Sequence, residues 1–265
     1  MSSCPTAPTS TTVSSRSCSF PPDPPLALIA CGALGAHLRE IIARRGWPAE
    51  LHCLPALLHN RPSKITEHTE RLARAALVRG QRVAVAYADC GTYGALDEVC
   101  ARLGLRRLPG LHCYDVLAGP DRIRAEFEAE PGTYVLTDFL VRSFAKTVLA
   151  ELGLDRYPEL WPDYFGHYRR LIWLAQDRDP GLEAEAGRVA ARFGLPLTVV
   201  DTGTGRLERE LELLIAGPPP NIAGPPPNLS SVMAPQTMTN RTPERPFRVI
   251  SPETAGSGPG SGSGP

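Results

Sequence analysis

The amino-acid sequence predicts an α/β protein: a mostly parallel sheet with helices on both faces, built on an internally duplicated β-α-β unit. Two observations carry the prediction. Short apolar runs rich in Val, Ile, Leu and Tyr recur from Leu26 to Ala216, each followed by Gly or Pro and then by a segment of helical period. The stretch also repeats part of itself once, about sixty residues on. Strict alternation of strand and helix implies parallel strands joined by crossover helices, because a parallel pair needs a long return connection.

The elements follow in order. Leu26 to Ala30 reads as a strand, and Leu34, Leu38, Ile41 and Ile42 form an apolar stripe on the helix after it, which Gly46 and Pro48 end. Residues 50 to 54 read as a second strand and 63 to 79 as a helix closed by Gly80. RVAVAYA at 82 to 88 is the clearest strand. A helix over 95 to 103, a short strand around 108 to 112, a helix over 121 to 129 and the strand TYVLT at 133 to 137 come next. Helix 140 to 152, an irregular aromatic stretch, strand 170 to 175, helix 181 to 193, strand 196 to 200 and helix 206 to 215 complete the domain.

The two ends are different in kind. Pro, Gly and Ser crowd into residues 1 to 25 and 217 to 265, a composition that buries too little apolar surface to offset the entropy of ordering. Both are expected to be disordered extensions flanking one domain over 26 to 216, with the near-repeat AGPPPN at 216 to 221 and 223 to 228 read as spacer. Neither end holds an apolar run fit for a signal peptide or a membrane span, so a cytoplasmic protein is expected. Lys and Arg total 28 against 28 Asp and Glu, which gives no electrostatic reason to expect nucleic acid or a membrane surface as partner. Seven cysteines in such a chain are expected to be thiols rather than disulfides.

The repeat places four of those thiols. Cys31-Gly32-Ala33-Leu34-Gly35-Ala36 and Cys90-Gly91-Thr92-Tyr93-Gly94-Ala95 share the pattern C-G-x-x-G-A, and Leu51-His52-Cys53 is matched by Leu111-His112-Cys113. The offsets agree: 90 − 31 = 59 and 113 − 53 = 60. In an open parallel sheet the loops leaving the strands' carboxyl ends share one edge, so Cys31, Cys90 and Cys113 are expected there, with His52, His59 or His112 and the acid Asp138. Gly32, Gly35, Gly91 and Gly94 allow tight turns that bring a helix N-terminus close to each thiol. Three thiolates with imidazoles nearby suit Zn²⁺ or an iron–sulfur cluster with an open position. The pattern is not a dinucleotide fingerprint, lacking its first glycine and its closing acid.

Other residues have plainer readings. Cys100 lies on the apolar face of a helix and reads as core, Cys4 and Cys18 fall in the N-terminal extension, and His37 and His68 read as surface residues of helices. His59, Asn60 and Arg61 precede a helix start, a loop suited to an anionic substrate. Asp89 and Asp138 are candidates for proton transfer or for orienting ligands.

The motifs LIACGALG, LHCLPALLHNRP, VAYADCGTYG, PGLHCY, TDFLVR and DYFGHYRRLIWLAQ together resemble the bacterial and archaeal family called domain of unknown function 1638, over Leu26 to Leu214. That resemblance implies kinship rather than an activity, together with an association with corrinoid-dependent methyltransferase systems and a place in one-carbon metabolism. Three readings of the site result. The first is a metal centre of Cys31, Cys90 and Cys113 with His52, His59 or His112 as fourth ligand, Asp89 and Asp138 orienting ligands or moving protons on a small-molecule substrate. The second is a metal-independent transferase or hydrolase with Cys90 as nucleophile beside Asp89 and His112. The third is a non-catalytic module holding an anion between the HNRP loop and the glycine turns.

Overall fold

The computed structural model describes residues 24–217. The terminal extensions expected to be disordered, with Cys4 and Cys18, fall outside the described residues apart from their inner edges. All the strands are parallel, but they form two three-stranded sheets instead of one.

The first sheet has the order β2-β1-β3, from β1 (Leu26–Cys31), β2 (Ala49–Leu54) and β3 (Arg82–Ala86). Every residue of β1 is buried, as a central parallel strand covered on both faces requires. Between β1 and β2 runs α1 (Gly35–Arg45), which packs Leu38 and Ile41 inward and ends at Gly46 in the left-handed conformation, φ 62°. Residues 56–60 make a single 3₁₀ turn before α2 (Pro62–Val78), the crossover to β3. The chain then forms α3 (Ala95–Leu103) and returns beside β3.

That return is where the expected strand at 108 to 112 is corrected. Residues 106–111 run extended along β3, with Val85 N–H donating to Arg106 O at 2.9 Å and Cys90 N–H to Leu111 O at 2.7 Å. Only the Val85–Arg107 pair forms a true bridge, since Pro109 lacks an N–H and Gly110 turns at φ 96°. The duplicated units therefore lie side by side, each strand flanked by the end of its own crossover. Cys113 does not end a strand; it opens α4 (Cys113–Ala118), a helix the repeat concealed.

The second sheet has the order β4-β5-β6, from β4 (Thr133–Thr137), β5 (Arg170–Ala175) and β6 (Leu197–Asp201). Before it comes α5 (Pro120–Ala129); after β4, α6 (Asp138–Phe144) continues into one wide π turn, and the aromatic stretch contributes α7 (Trp161–Phe165). Between β5 and β6 lies α8 (Pro180–Phe193), started by the Asp179 carboxylate accepting Leu182 N–H at 3.0 Å and stopped by Gly194 at φ 65°. Alternate strand residues enter two cores: Tyr134, Leu136 and Trp173 with α6 and α8 on one face, Val135, Ile172 and Leu174 with Ile123 on the other. The last described helix, α9 (Gly205–Ala216), crosses back and buries Leu207, Leu211 and Leu214 in the core of the first sheet.

Candidate functional site

The carboxyl end of the first sheet gathers the sulfur atoms. Cys31 ends β1 and is buried; from the loop after β2 comes His59, whose Nε2 stands 3.8 Å from Cys31 Sγ. Its other nitrogen is fixed, Nδ1–H donating to Ala56 O at 2.7 Å, so Nε2 is the nitrogen presented to the thiol. The glycines of the first copy make this approach possible. A Cβ on Gly32 would lie 2.4 Å from Leu54 O and one on Gly35 2.8 Å from Cys53 Sγ, so the turn after β1 rests directly on the end of β2.

The second copy solves the turn differently. Cys90 and Tyr93 are the only non-glycine residues with positive φ among those described, at 51° and 53°, and Gly91 and Gly94 stand at 82° and 88°. The Asp89 carboxylate holds this left-handed turn, accepting from Thr92 Oγ1 at 2.7 Å and from the N–H groups of Tyr93 and Gly94 at 2.9 Å each. Asp89 thus orients Cys90 through the backbone. Cys90 is buried and close enough to His59 to favour its charged form.

Electrostatics ties the group together. Burial alone would push the Cys31 thiol up, but attraction to His59 and the hydrogen bond from it prevail and hold Cys31 below the usual thiol range. Burial likewise disfavours a charged His59, yet Cys31, with Cys90 behind it, raises its pKa well above the ordinary histidine value. Cys113 goes the other way: burial and the neighbouring Cys90 and Cys31 push its thiol up. Tyr87, one residue past β3, has its ring 5.9 Å from that of His59 and is pushed up by burial and by Cys31 and Cys90. Cys31, Cys90 and Tyr87 are buried, and His59 and Cys113 are half-buried.

Cys31, Cys90, Cys113, His59 and Tyr87 are thus neighbours, while the other candidate residues stand apart in roles of their own. His52 pairs with Glu50 at 3.2 Å, and His112 Nδ1 faces Asp115 at 3.3 Å. Cys53 lies under Gly35 with Arg39 Nη2 at 4.0 Å, and burial raises its thiol. Asn60 and Arg61 are exposed beside His59. Cys100 is core, its thiol pushed up to about 12 by burial. Asp138 is buried and accepts Trp173 Nε1–H at 2.9 Å and the N–H groups of Gln176 and Asp177 at 3.1 and 2.8 Å. His37 approaches it at 3.9 Å, so this histidine is not a surface residue: it joins α1 to the end of β4. Among the described residues no three His, Cys, Asp or Glu side chains stand in a ready-made metal-holding array.

Sequence reasoning missed Tyr87 and the His37–Asp138 contact. The first had a signal, a polar-ended residue three positions before Cys90 on the same strand end. The second joins residues far apart in the chain and had none.

No curated protein and no solved structure matches the chain. Among the described residues no helix is long and apolar enough to cross a membrane. One family model does match, over residues 53–211, a span that takes in His59, Asp89, Cys90, Cys113 and Asp138 and begins after β1 and Cys31. With more than half its length matched, the chain belongs to the family described as protein of unknown function (DUF1638).

Proposed function

We propose that this chain is a metal-binding protein whose centre, for Zn²⁺ before an iron–sulfur cluster, is formed by Cys31, Cys90 and Cys113 with His59 as the fourth ligand. The observation that carries it is the His59 geometry: Nδ1–H tied to Ala56 O at 2.7 Å and Nε2 facing Cys31 Sγ at 3.8 Å. A metal-ligating histidine characteristically donates its other N–H to a carbonyl. With Zn–S about 2.3 Å and Zn–N about 2.0–2.1 Å at a tetrahedral angle, the two ligand atoms stand roughly 3.5–3.6 Å apart, so the observed spacing needs little adjustment. Cys90 and Cys113, which act electrostatically on Cys31, His59 and each other, would complete the set. His52 and His112 are the weaker choices for fourth ligand because each faces a carboxylate.

When bound, the metal would keep the sulfurs as thiolates at neutral pH. This chain's residues hold and orient them: Asp89 through the Cys90 turn, Ala56 through His59. A methyl-transfer role in one-carbon metabolism, with corrinoid-dependent methyltransferase components as partners, is the finer part of the proposal; thiolates are the nucleophiles such chemistry uses.

A second reading is favoured by one observation. Cys31 has its thiol lowered by an adjacent imidazole, so a metal-independent transferase or hydrolase would use Cys31 with His59. Elemental analysis of anaerobically purified protein separates the two: about one zinc per chain, lost in Cys31→Ser and His59→Gln, supports the first. Metal-free protein that takes up no Zn²⁺ on titration would sink it.

A further inference from the structure

Tyr87 is 0% exposed, and its hydroxyl is sealed from solvent with no hydrogen-bond partner. Leaving a buried hydroxyl unpaired costs about 1–3 kcal/mol, and phenylalanine would fill almost the same volume without that cost. Cys31 is the next residue after Ala30 and Tyr87 the next after Ala86, which pair in β1 and β3, so the ring lies beside the Cys31 end of the sheet, with Cys90 and Cys113 near enough to act on it. A neutral thiol is a weak acceptor and a metal-bound thiolate a strong one, so metal binding at Cys31 would give this hydroxyl the partner it lacks.

We propose that Tyr87 is a positioning residue of the centre: its hydroxyl donates a hydrogen bond to the Cys31 sulfur when that sulfur is a metal-bound thiolate. The inference rests on the metal reading above and deepens it. The bond draws electron density from Cys31 and, with His59 on the other side, makes it the anchoring ligand. Cys90, on its left-handed turn, and Cys113, at the start of a short helix, are left as the more electron-rich sulfurs. It also explains why a polar-ended residue occupies a fully buried position: its value is realised in the loaded protein, not in the fold.

The test uses the full chain, reduced and metal-free, titrated with Co²⁺ as an absorbing substitute for zinc. Wild type and Tyr87→Phe are compared by their sulfur-to-cobalt charge-transfer absorption, by Co²⁺ affinity in competition with a chromophoric chelator, and by urea unfolding without metal. In Tyr87→Phe the charge-transfer band should move to longer wavelength and the affinity fall on the order of 10- to 100-fold, as losing a partner of a metal ligand does. Metal-free stability should be unchanged or higher. An identical spectrum and affinity in the two proteins would overturn the inference while leaving the metal reading standing. A parallel loss of metal-free stability would also overturn it, by placing the hydroxyl's role in the fold. Wild type without any charge-transfer band would remove both readings at once.

Discussion

Gly32→Ala is the sharpest test of how the site is assembled. The added Cβ would stand 2.4 Å from Leu54 O and 3.1 Å from Ala56 N, and ordinary contact begins at 3.4 Å, so the carbonyl must retreat by 3.4 − 2.4 = 1.0 Å. Both obstacles are backbone at the end of β2, where no rotamer change relieves them. Overpacking of this kind costs about 1–3 kcal/mol, and in a domain of this size each kcal/mol lowers Tm by roughly 2–4 °C. The displaced segment carries the Ala56 carbonyl that fixes His59, so the Cys31 thiol should also titrate at higher pH than in wild type. Urea unfolding and a thiolate absorbance titration, each with a Cys31→Ala difference control, read the two effects. Gly187→Ala is the contrast, since nothing lies within 4 Å of its new Cβ in mid-α8; it should stabilise by about 0.5–1 kcal/mol. If Gly32→Ala unfolds within about 0.5 kcal/mol of wild type, the level of an ordinary surface change, the close-approach argument is wrong.

Three further outcomes are expected. Asp138→Ala strands Trp173 Nε1–H and the N–H groups of Gln176 and Asp177, and should destabilise by on the order of 3–5 kcal/mol in tryptophan-monitored unfolding; a loss under about 1 kcal/mol would contradict it. His59→Gln leaves Cys31 buried but removes the attraction that lowers it, so in metal-free protein the Cys31 midpoint should rise above the ordinary thiol value, and a fall would count against the pairing. Asp115 is held below its usual pKa of 3.8, because the hydrogen bond and charge of His112, with Leu111 N–H, outweigh the effect of burial. A depressed carboxylate stabilises the fold above its unfolded pKa and loses that contribution as pH falls through the folded one. The deficit of Asp115→Ala should therefore be full near neutral pH and shrink below pH 3.8, and a deficit independent of pH would refute the linkage.

What was legible in the sequence was whatever local chemistry decides. β4 has the bounds its β-branched and aromatic run implied, and α8, expected over 181 to 193, spans Pro180–Phe193. The repeat implied two β-α-β units of one design, which the structure sets side by side, and it misled where the second copy diverges: Pro109 and Gly110 interrupt the return strand, and Cys113 starts a helix instead of ending a strand. One sheet was expected and two are present, since strand order depends on long-range pairing that periodicity does not encode. The site divided in the same way. The strand-end cysteines could be listed from the repeat, but the choice among His52, His59 and His112 depends on which imidazole has no carboxylate in front of it, a fact of three dimensions. Asp89 looked like an acid poised beside Cys90, whereas its oxygens are taken up by its own turn.

The return of α9 onto the first sheet constrains the order in which the molecule can be made. Leu207, Leu211 and Leu214 complete a core begun at Leu26, and Glu208 and Glu212 pair with Arg44 and Arg45. During synthesis the half that carries the sulfur cluster emerges early yet stays unsealed until residues 205–216 have left the ribosome. A nascent chain stalled before residue 205 should therefore expose apolar surface on its N-terminal half and recruit chaperones.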